Sequence, residues 1–437
     1  VTGAQRGALI AVAALIAGPA AAQDMANMPG MDMSHMTMPG MDMGAMQSAL
    51  GAYPMTRDAS GTSWQPDASV HDGLHAAAGG WSLMGHALID GVYDSQSGPR
   101  GGTKDFVAGM VMGMASHSLG ADNTLQLRAM MSPDPFMGPS GYPLLLATGE
   151  TADGKAPLVD RQHPHDLFME LSASLTHRFS GQDSVFLYAG LPGEPALGPP
   201  AFMHRLSGMD DPQAPITHHW LDSTHITYGV VTTGWTHGDV RIEVSAFRGR
   251  EPDQRRFNIE PPKLDSESVR VSWNPGPNWS LQTSWGHLTS PEQLEPAVDE
   301  DRWTASAIYT RPVLGGWWSS TAAVGVKRES YGQTLNGFLV ESALHPSDPW
   351  TLFVRGEAEQ NNELLSAGLP QAALAGPMTA YLAGEASAGA IHDWRLAPHL
   401  KVGLGALYSA DFVPPPLRAA YGDDPHGVMG FVRLKVD

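Results

Sequence analysis

The sequence predicts an all-β protein, a transmembrane outer-membrane antiparallel β-barrel of about 14–16 strands with a disordered N-terminal arm. Three observations predict it. From about residue 80 onward, short segments alternate apolar and polar side chains with a period of two. Turn residues such as Asn274-Pro-Gly-Pro-Asn278 separate these segments, and aromatic residues stand near their ends. Charged residues make up only 16% of the 437, while 42% are hydrophobic, and 49 Gly and 35 Pro supply turns.

The chain begins with a different pattern. Arg6 precedes an apolar run from Ala8 to Ile16 and then the small residues Ala20, Ala21 and Ala22, which together predict a signal peptide over residues 1–22. The competing reading is a membrane anchor, but the run is shorter than the ~20 residues a spanning helix needs. Residues 23–79 are expected to form a disordered Met-rich arm and linker. Nine of the 22 methionines stand between Asp24 and Gln47: Met25, Met28, Met31, Met33, Met36, Met38, Met41, Met43 and Met46. Pro29-Gly-Met-Asp-Met33 recurs as Pro39-Gly-Met-Asp-Met43, with His35 and Met36 between the copies. Pro and Gly interrupt any helix between Asp24 and Gln47, and no aromatic or branched aliphatic residue is present there to nucleate a core. A looser linker rich in Ser, Asp and Gly continues to about Gly79.

Residues 80–437 are expected to form the barrel. The alternation is clearest from Leu167 to Phe179, where Met169, Leu171, Ala173 and Leu175 share one face and Glu170, Ser172, Ser174 and Thr176 the other. Similar stretches start at Trp81, Phe106, Thr124, Ser184, Thr224, Val240, Val269, Leu281, Trp303, Trp317, Phe338, Leu352, Met378, Leu400 and Val428, for a total of sixteen candidates. Lipid forbids an open sheet edge, so such a sheet must close. A soluble sandwich or propeller also alternates, yet Arg355, Glu357 and Glu359 opposite Leu352 and Val354 suit a wet lumen better than a second packed core. Arg241, Glu243 and Arg270 read as further lumen lining, and Trp81, Trp317 and Trp318 as interface aromatics. One feature runs against a barrel: the sequence ends on Val436 and Asp437, without the terminal aromatic residue that bacterial outer-membrane barrels commonly carry.

No cysteine is present, which excludes disulfides, thiolate ligands and a cysteine nucleophile, and a net charge of −19 excludes most nucleic-acid binders. Chemistry is left to methionine and histidine. The methionine thioether is a soft, neutral ligand that favours Cu(I), and equally Ag(I), over Zn(II) or Mg(II). The arm's methionines with His35 are therefore a candidate Cu(I) site; the competing reading is a flexible tail that sticks to a hydrophobic groove. Eight of the 18 histidines fall between residues 163 and 237. His163-Pro164-His165-Asp166 places two imidazoles on the same side of an extended segment with a carboxylate beside them, a spacing that can chelate Cu(II) or Zn(II). His218 and His219 sit in a Pro-rich loop and are further candidates, although histidines also cap loops.

The Met-Asp-Met and His-Met segments over residues 24–47, followed by a barrel, resemble the copper-resistance protein B family of outer-membrane proteins. The barrel portion is matched by architecture alone. Residues 157–262 are also similar to barrel proteins of unknown function that accompany heavy-metal resistance genes, through the stretch from Leu158 to Phe168. The resemblance implies a periplasmic arm that captures Cu(I) and a barrel that sequesters or exports it, in copper or silver tolerance, without turnover chemistry. The expected partners are copper ions, outer-membrane lipid and a periplasmic copper carrier or oxidase, and no nucleic acid. Two alternatives stand beside it. One is a general porin with an incidental tail; the other is a lipid-modifying hydrolase assembled from Asp166, His163 or His165, Glu170 and Ser172, although no nucleophile elbow accompanies them.

Overall fold

Side chains that alternate along a strand are all satisfied only when one face of the sheet meets an apolar solvent and the other a polar interior. The computed structural model describes residues 46–70, 73–367 and 376–437. Sixteen strands form one closed antiparallel barrel. The first eight are Trp81–Gln96, Gly102–Ser118, Asn123–Met131, Phe168–Arg178, Asp183–Gly190, Val230–His237, Val240–Phe247 and Ser266–Gly276. The second eight are Trp279–Leu288, Glu300–Val313, Gly316–Glu329, Thr334–Ser347, Trp350–Asn361, Tyr381–Ala397, Leu400–Phe412 and His426–Val436. The last strand closes on the first, from Val436 opposite Ala87 to Gly427 opposite Gln96. Each of the sixteen expected segments overlaps one of these strands. Leu127, Leu175, Leu187, Ile242, Val244, Val340, Leu352 and Val354 point outward and are exposed, while Arg128, Thr176, Glu243, Glu341 and Arg355 point inward and are buried.

The two ends of the barrel differ. Connections 119–122, 179–182, 238–239, 277–278, 314–315, 348–349 and 398–399 are tight and lie at one end, where Leu314 and Gly315 both adopt left-handed backbone (φ 52° and 86°) and match the twist of the flanking strands. Connections 132–167, 191–229, 248–265, 289–299 and 413–425 lie at the other, long-loop end.

Two inserts occupy the lumen. Residues 46–70 enter from the short-turn end and pack Leu50, Tyr53 and Trp64 against Phe186, Tyr188 and Phe247 of the wall. Arg241 donates to the Leu50 and Thr62 carbonyls (both 3.0 Å) and to the Tyr53 hydroxyl (2.6 Å), and Arg57 pairs with Asp67 (2.6 Å) and with Asp239 in a short turn (2.9 Å). From the other end, residues 191–229 descend into the barrel. Arg205 on this loop contacts Glu341 of the wall and Asp222 of the loop, each at 2.7 Å, and Thr217 donates to Glu357 at 2.6 Å. Arg433 of the last strand binds Asp90 of the first at 3.0 Å and also binds the carboxylate and, at 2.9 Å, the carbonyl of Asp210 on the loop.

Four expectations need correction. The disordered linker does not extend over residues 46–70, which are folded, nor over Leu74–Ala78, a short strand paired with Trp81–Gly85; the Ser, Asp and Gly content of 46–70 suits a lumen whose partners are themselves polar. The stretch starting at Thr224 becomes strand only at Val230, because residues 223–225 form a 3-10 turn within the inserted loop. The stretch starting at Met378 becomes strand only at Tyr381. Met169 does not face outward with Leu171; a register shift opposite Met130 and Met131 turns it inward, and it is fully buried. A hairpin absent from the alternation, Tyr142–Thr151 with Pro157–Gln162, also packs inside the long-loop end.

With both inserts seated, the protein is expected to conduct ions far less than an empty barrel of this strand number. Planar-bilayer recording checks this; steady, large ohmic steps would show that the inserts do not block the lumen.

Candidate metal centre

Two connections, 132–167 and 191–229, bring histidines into the lumen. After Gln162 the chain runs His163-Pro164-His165, where proline favours extended backbone in the residue before it. The one-turn helix His218–Leu221 carries His218 and His219, and the adjoining 3-10 turn Ser223–His225 carries His225. Five imidazoles, all buried, then form a continuous cluster. Ring centroids lie 5.1 Å apart for His165 and His225, 5.1 Å for His218 and His225, 5.6 Å for His218 and His219, 5.7 Å for His163 and His219, and 6.4 Å for His163 and His218. Rings sharing one tetrahedral ion sit roughly 5 Å apart, so the His165–His225–His218 series has the spacing of co-ligands. Phe202 closes one side, 5.5 Å from His218 and 6.2 Å from His165.

The orientation of these rings is more telling than their proximity. His165 Nδ1 lies 2.7 Å from Asp134 Oδ2, His218 Nδ1 lies 2.7 Å from Asp222 Oδ1, and His225 Nδ1 lies 2.8 Å from the Asp222 carbonyl. An Nδ1–H that donates to these acceptors leaves Nε2 as a bare lone pair. In His163, His165, His218 and His225 alike, Nε2 is buried and has no hydrogen-bond partner. A buried acceptor without a donor costs on the order of 1–3 kcal/mol, and metal-bound histidines characteristically give their other N–H to a carboxylate or carbonyl. Burial first, then the neighbouring imidazoles, hold His163 and His225 well below the usual histidine range, so both are neutral and ready to ligate.

His219 has a different environment. Its Nε2 lies 3.4 Å from Glu251 Oε2, and His219, Glu251 and Glu292 form a set whose ligand atoms all lie within 4.8 Å of one another. Burial, the largest single influence, pulls its pKa down, but the charge and hydrogen bond of Glu251 together with the charge of Glu292 hold it above the ordinary value. This part of the cluster therefore offers mixed nitrogen and oxygen donors, whereas His165, His218 and His225 offer nitrogen alone.

Sulfur lies next to the nitrogen. Met110, Met112 and Met114 occupy alternate, inward-facing positions of Gly102–Ser118, and Met110 and Met112 pack with Met130, Met169 and Ile226. With Met55, Met203 and Met209 they line a cavity of about 120 Å³ that also touches Lys401 and Asp437 at the short-turn end. A second cavity of about 60 Å³ shares Leu88, Met110, Met203 and Met209 with the first and is lined further in by His163 and His165.

Of the residues expected to ligate metal, His163, His165, His218 and His219 converge. Asp166 does not join them: its carboxylate is bound by Arg256 (3.2 Å) and by the Tyr228 hydroxyl, so its charge is already engaged. Met25, Met28, Met31, Met33, His35, Met36, Met38, Met41 and Met43 lie outside the described residues. Met46 is described, half-buried, and lines a cavity at the short-turn end with Met84, Met114 and His117. The hydrolase constellation is not assembled, since Ser172 donates to Glu170 at 2.6 Å in the barrel wall while His165 is turned to Asp134. Sequence reasoning missed the partners Asp134, Asp222, Glu251 and Glu292, which no spacing connects to the histidines. His225 belongs to the crowding between residues 163 and 237 but was not singled out as a ligand, and Met110-Val-Met112-Gly-Met114, whose two-residue methionine spacing repeats that of the arm, was missed.

A closed antiparallel barrel with short turns at one end and long loops at the other is the architecture of outer-membrane porins. No family model matches the sequence, and no curated protein does. Among solved structures, the chain is similar to Salmonella typhi OmpF in complex with daunomycin, at a TM-score of 0.51 and 10% identity over 82% of this chain and 100% of that one. It is also similar to the anion-selective porin of Comamonas acidovorans (TM-score 0.48, 11% identity, 81% and 99% covered) and to Pseudomonas putida OprB at high pH (0.46, 8%, 82% and 94%). The likeness to OmpF establishes the fold, a porin-type barrel.

Proposed function

We propose that this protein handles copper at the bacterial outer membrane, in tolerance to Cu(I) and to the chemically similar Ag(I). In this reading the Met-rich arm captures the ion in the periplasm, and the lumen histidines hold it for sequestration or export. The observation that carries it is the set of five buried imidazoles, four of them with unpartnered Nε2 atoms and three of them fixed through Nδ1 as metal ligands usually are. Supporting it, the outward apolar belt suits lipid, and Met46, where the arm joins the described chain, lies at the short-turn end that ordinarily faces the periplasm. Soft thioethers beside imidazoles favour Cu(I) over Zn(II), while the His219, Glu251 and Glu292 set suits Cu(II) or Zn(II). A periplasmic copper carrier or oxidase would be the natural donor or recipient. The general porin reading keeps the support of the fold and is opposed by the occupied lumen.

Anaerobic Cu(I) titration of the mature protein against a competing chelator tests the proposal, in parallel with a form lacking residues 24–45. The full-length protein is expected to take up several ions more than the truncated one, which retains the lumen sites. Equal uptake would remove the arm from the mechanism, and no tight uptake by either form would sink the copper reading.

A further inference from the structure

Resting on the copper reading, we infer that the methionine-lined cavity is itself a Cu(I) site, a soft-metal vestibule through which the histidine centre is loaded from the short-turn end. Sulfur reaches this cavity from three separate parts of the fold: Met110, Met112 and Met114 from one wall strand, Met203 and Met209 from the inserted loop, and Met55 from the N-terminal insert. Packing alone does not require this. The neighbouring apolar cluster at the long-loop end is built mainly from Leu, Phe and Ala; among the described methionines, eight line these cavities, Met130 and Met169 pack against Met110 and Met112, and Met131, Met137, Met378 and Met429 stand apart.

The chemistry suits a monovalent soft cation. Thioethers are neutral, so they can hold Cu(I) without proton release, and they bind Zn(II) or Mg(II) poorly. Flexible methionines can exchange as ligands one at a time, so the ion keeps donors as it moves and undergoes no change of oxidation state. Because the inner cavity shares Met110, Met203 and Met209 with the outer one and reaches His163 and His165, sulfur donors give way directly to nitrogen donors.

The test is Cu(I) loading of the full chain carrying Met110→Leu, Met112→Leu and Met114→Leu together, followed by stopped-flow chelator competition. Leucine keeps the volume and removes the sulfur. The expected result is a loading rate at least roughly tenfold slower, fewer copper–sulfur scatterers by X-ray absorption than in the unaltered chain, and unchanged Zn(II) uptake. Single Met112→Leu and Met114→Leu variants, each expected to slow loading in part, serve if the triple variant does not fold. An undiminished rate with unchanged copper–sulfur scattering would overturn the vestibule while leaving the histidine centre standing. Copper–sulfur scattering that is lost with these substitutions in a chain whose histidines take no copper would instead support the vestibule and overturn the histidine reading. A chain that takes up no copper at all would overturn both.

Discussion

Replacing His218 and His225 together with alanine is expected to abolish tight copper retention in the lumen while leaving the arm's uptake in place. Both rings belong to the closest-spaced series, and each Nε2 faces the cluster without a partner. The fold should survive the change, because Asp222, the acceptor for both rings, keeps its 2.7 Å contact with Arg205. Asp222→Asn probes the same site through the outer partner of His218 and should weaken retention by roughly 10–100-fold, the usual cost of disturbing such a partner; the double alanine variant should exceed that. Chelator competition measures both effects, and thermal unfolding in detergent confirms the fold. Copper retained with unchanged affinity in the double variant would remove these histidines from the site.

Glu341→Ala is expected to cause the largest loss of stability. Glu341 is fully buried and receives Arg205 at 2.7 Å, the Ser207 hydroxyl at 2.9 Å and Arg355 at 3.4 Å, so it joins the inserted loop to the wall. Removing one partner of a buried pair leaves an uncompensated charge, at a cost of about 3–5 kcal/mol. Because Arg205 also holds Asp222, copper retention should fall as well. The temperature at which the folded barrel band converts to the unfolded band on a semi-native gel is the readout, and an unchanged transition would show that Glu341 does not hold the loop in place.

The strands were legible because two solvents impose a period on them. Lipid outside and polar groups inside force alternation, and a one-residue slip would exchange the faces. The inserts had no such imprint. Tyr142–Thr151 is buried along its whole length, so its sequence carries no alternation, and residues 46–70 are polar because the wall they meet is polar. A composition rule that equates polarity with disorder assumes an apolar core, and this lumen is held largely by ion pairs. His163, His165, His218 and His219 could be singled out by their crowding in sequence, but Asp134 lies 31 residues from its partner His165. Met110, Met112 and Met114 were concealed by a strand that is apolar on both faces: they point inward, where polar lumen residues were the expectation, and Val111 between them lies on the opposite face.

The position of Arg433 bears on how the molecule is put together. Its guanidinium joins the last strand to the first and both to Asp210 of the inserted loop, residues that are far apart in the chain. Contacts between such distant segments form late, after local hairpins have organised. The seam therefore cannot be completed around an empty ring without leaving this buried charge short of a partner. Assembly is thereby made conditional: the barrel zips shut most favourably once its contents are aboard, and the inserted loop serves as the checkpoint for closure.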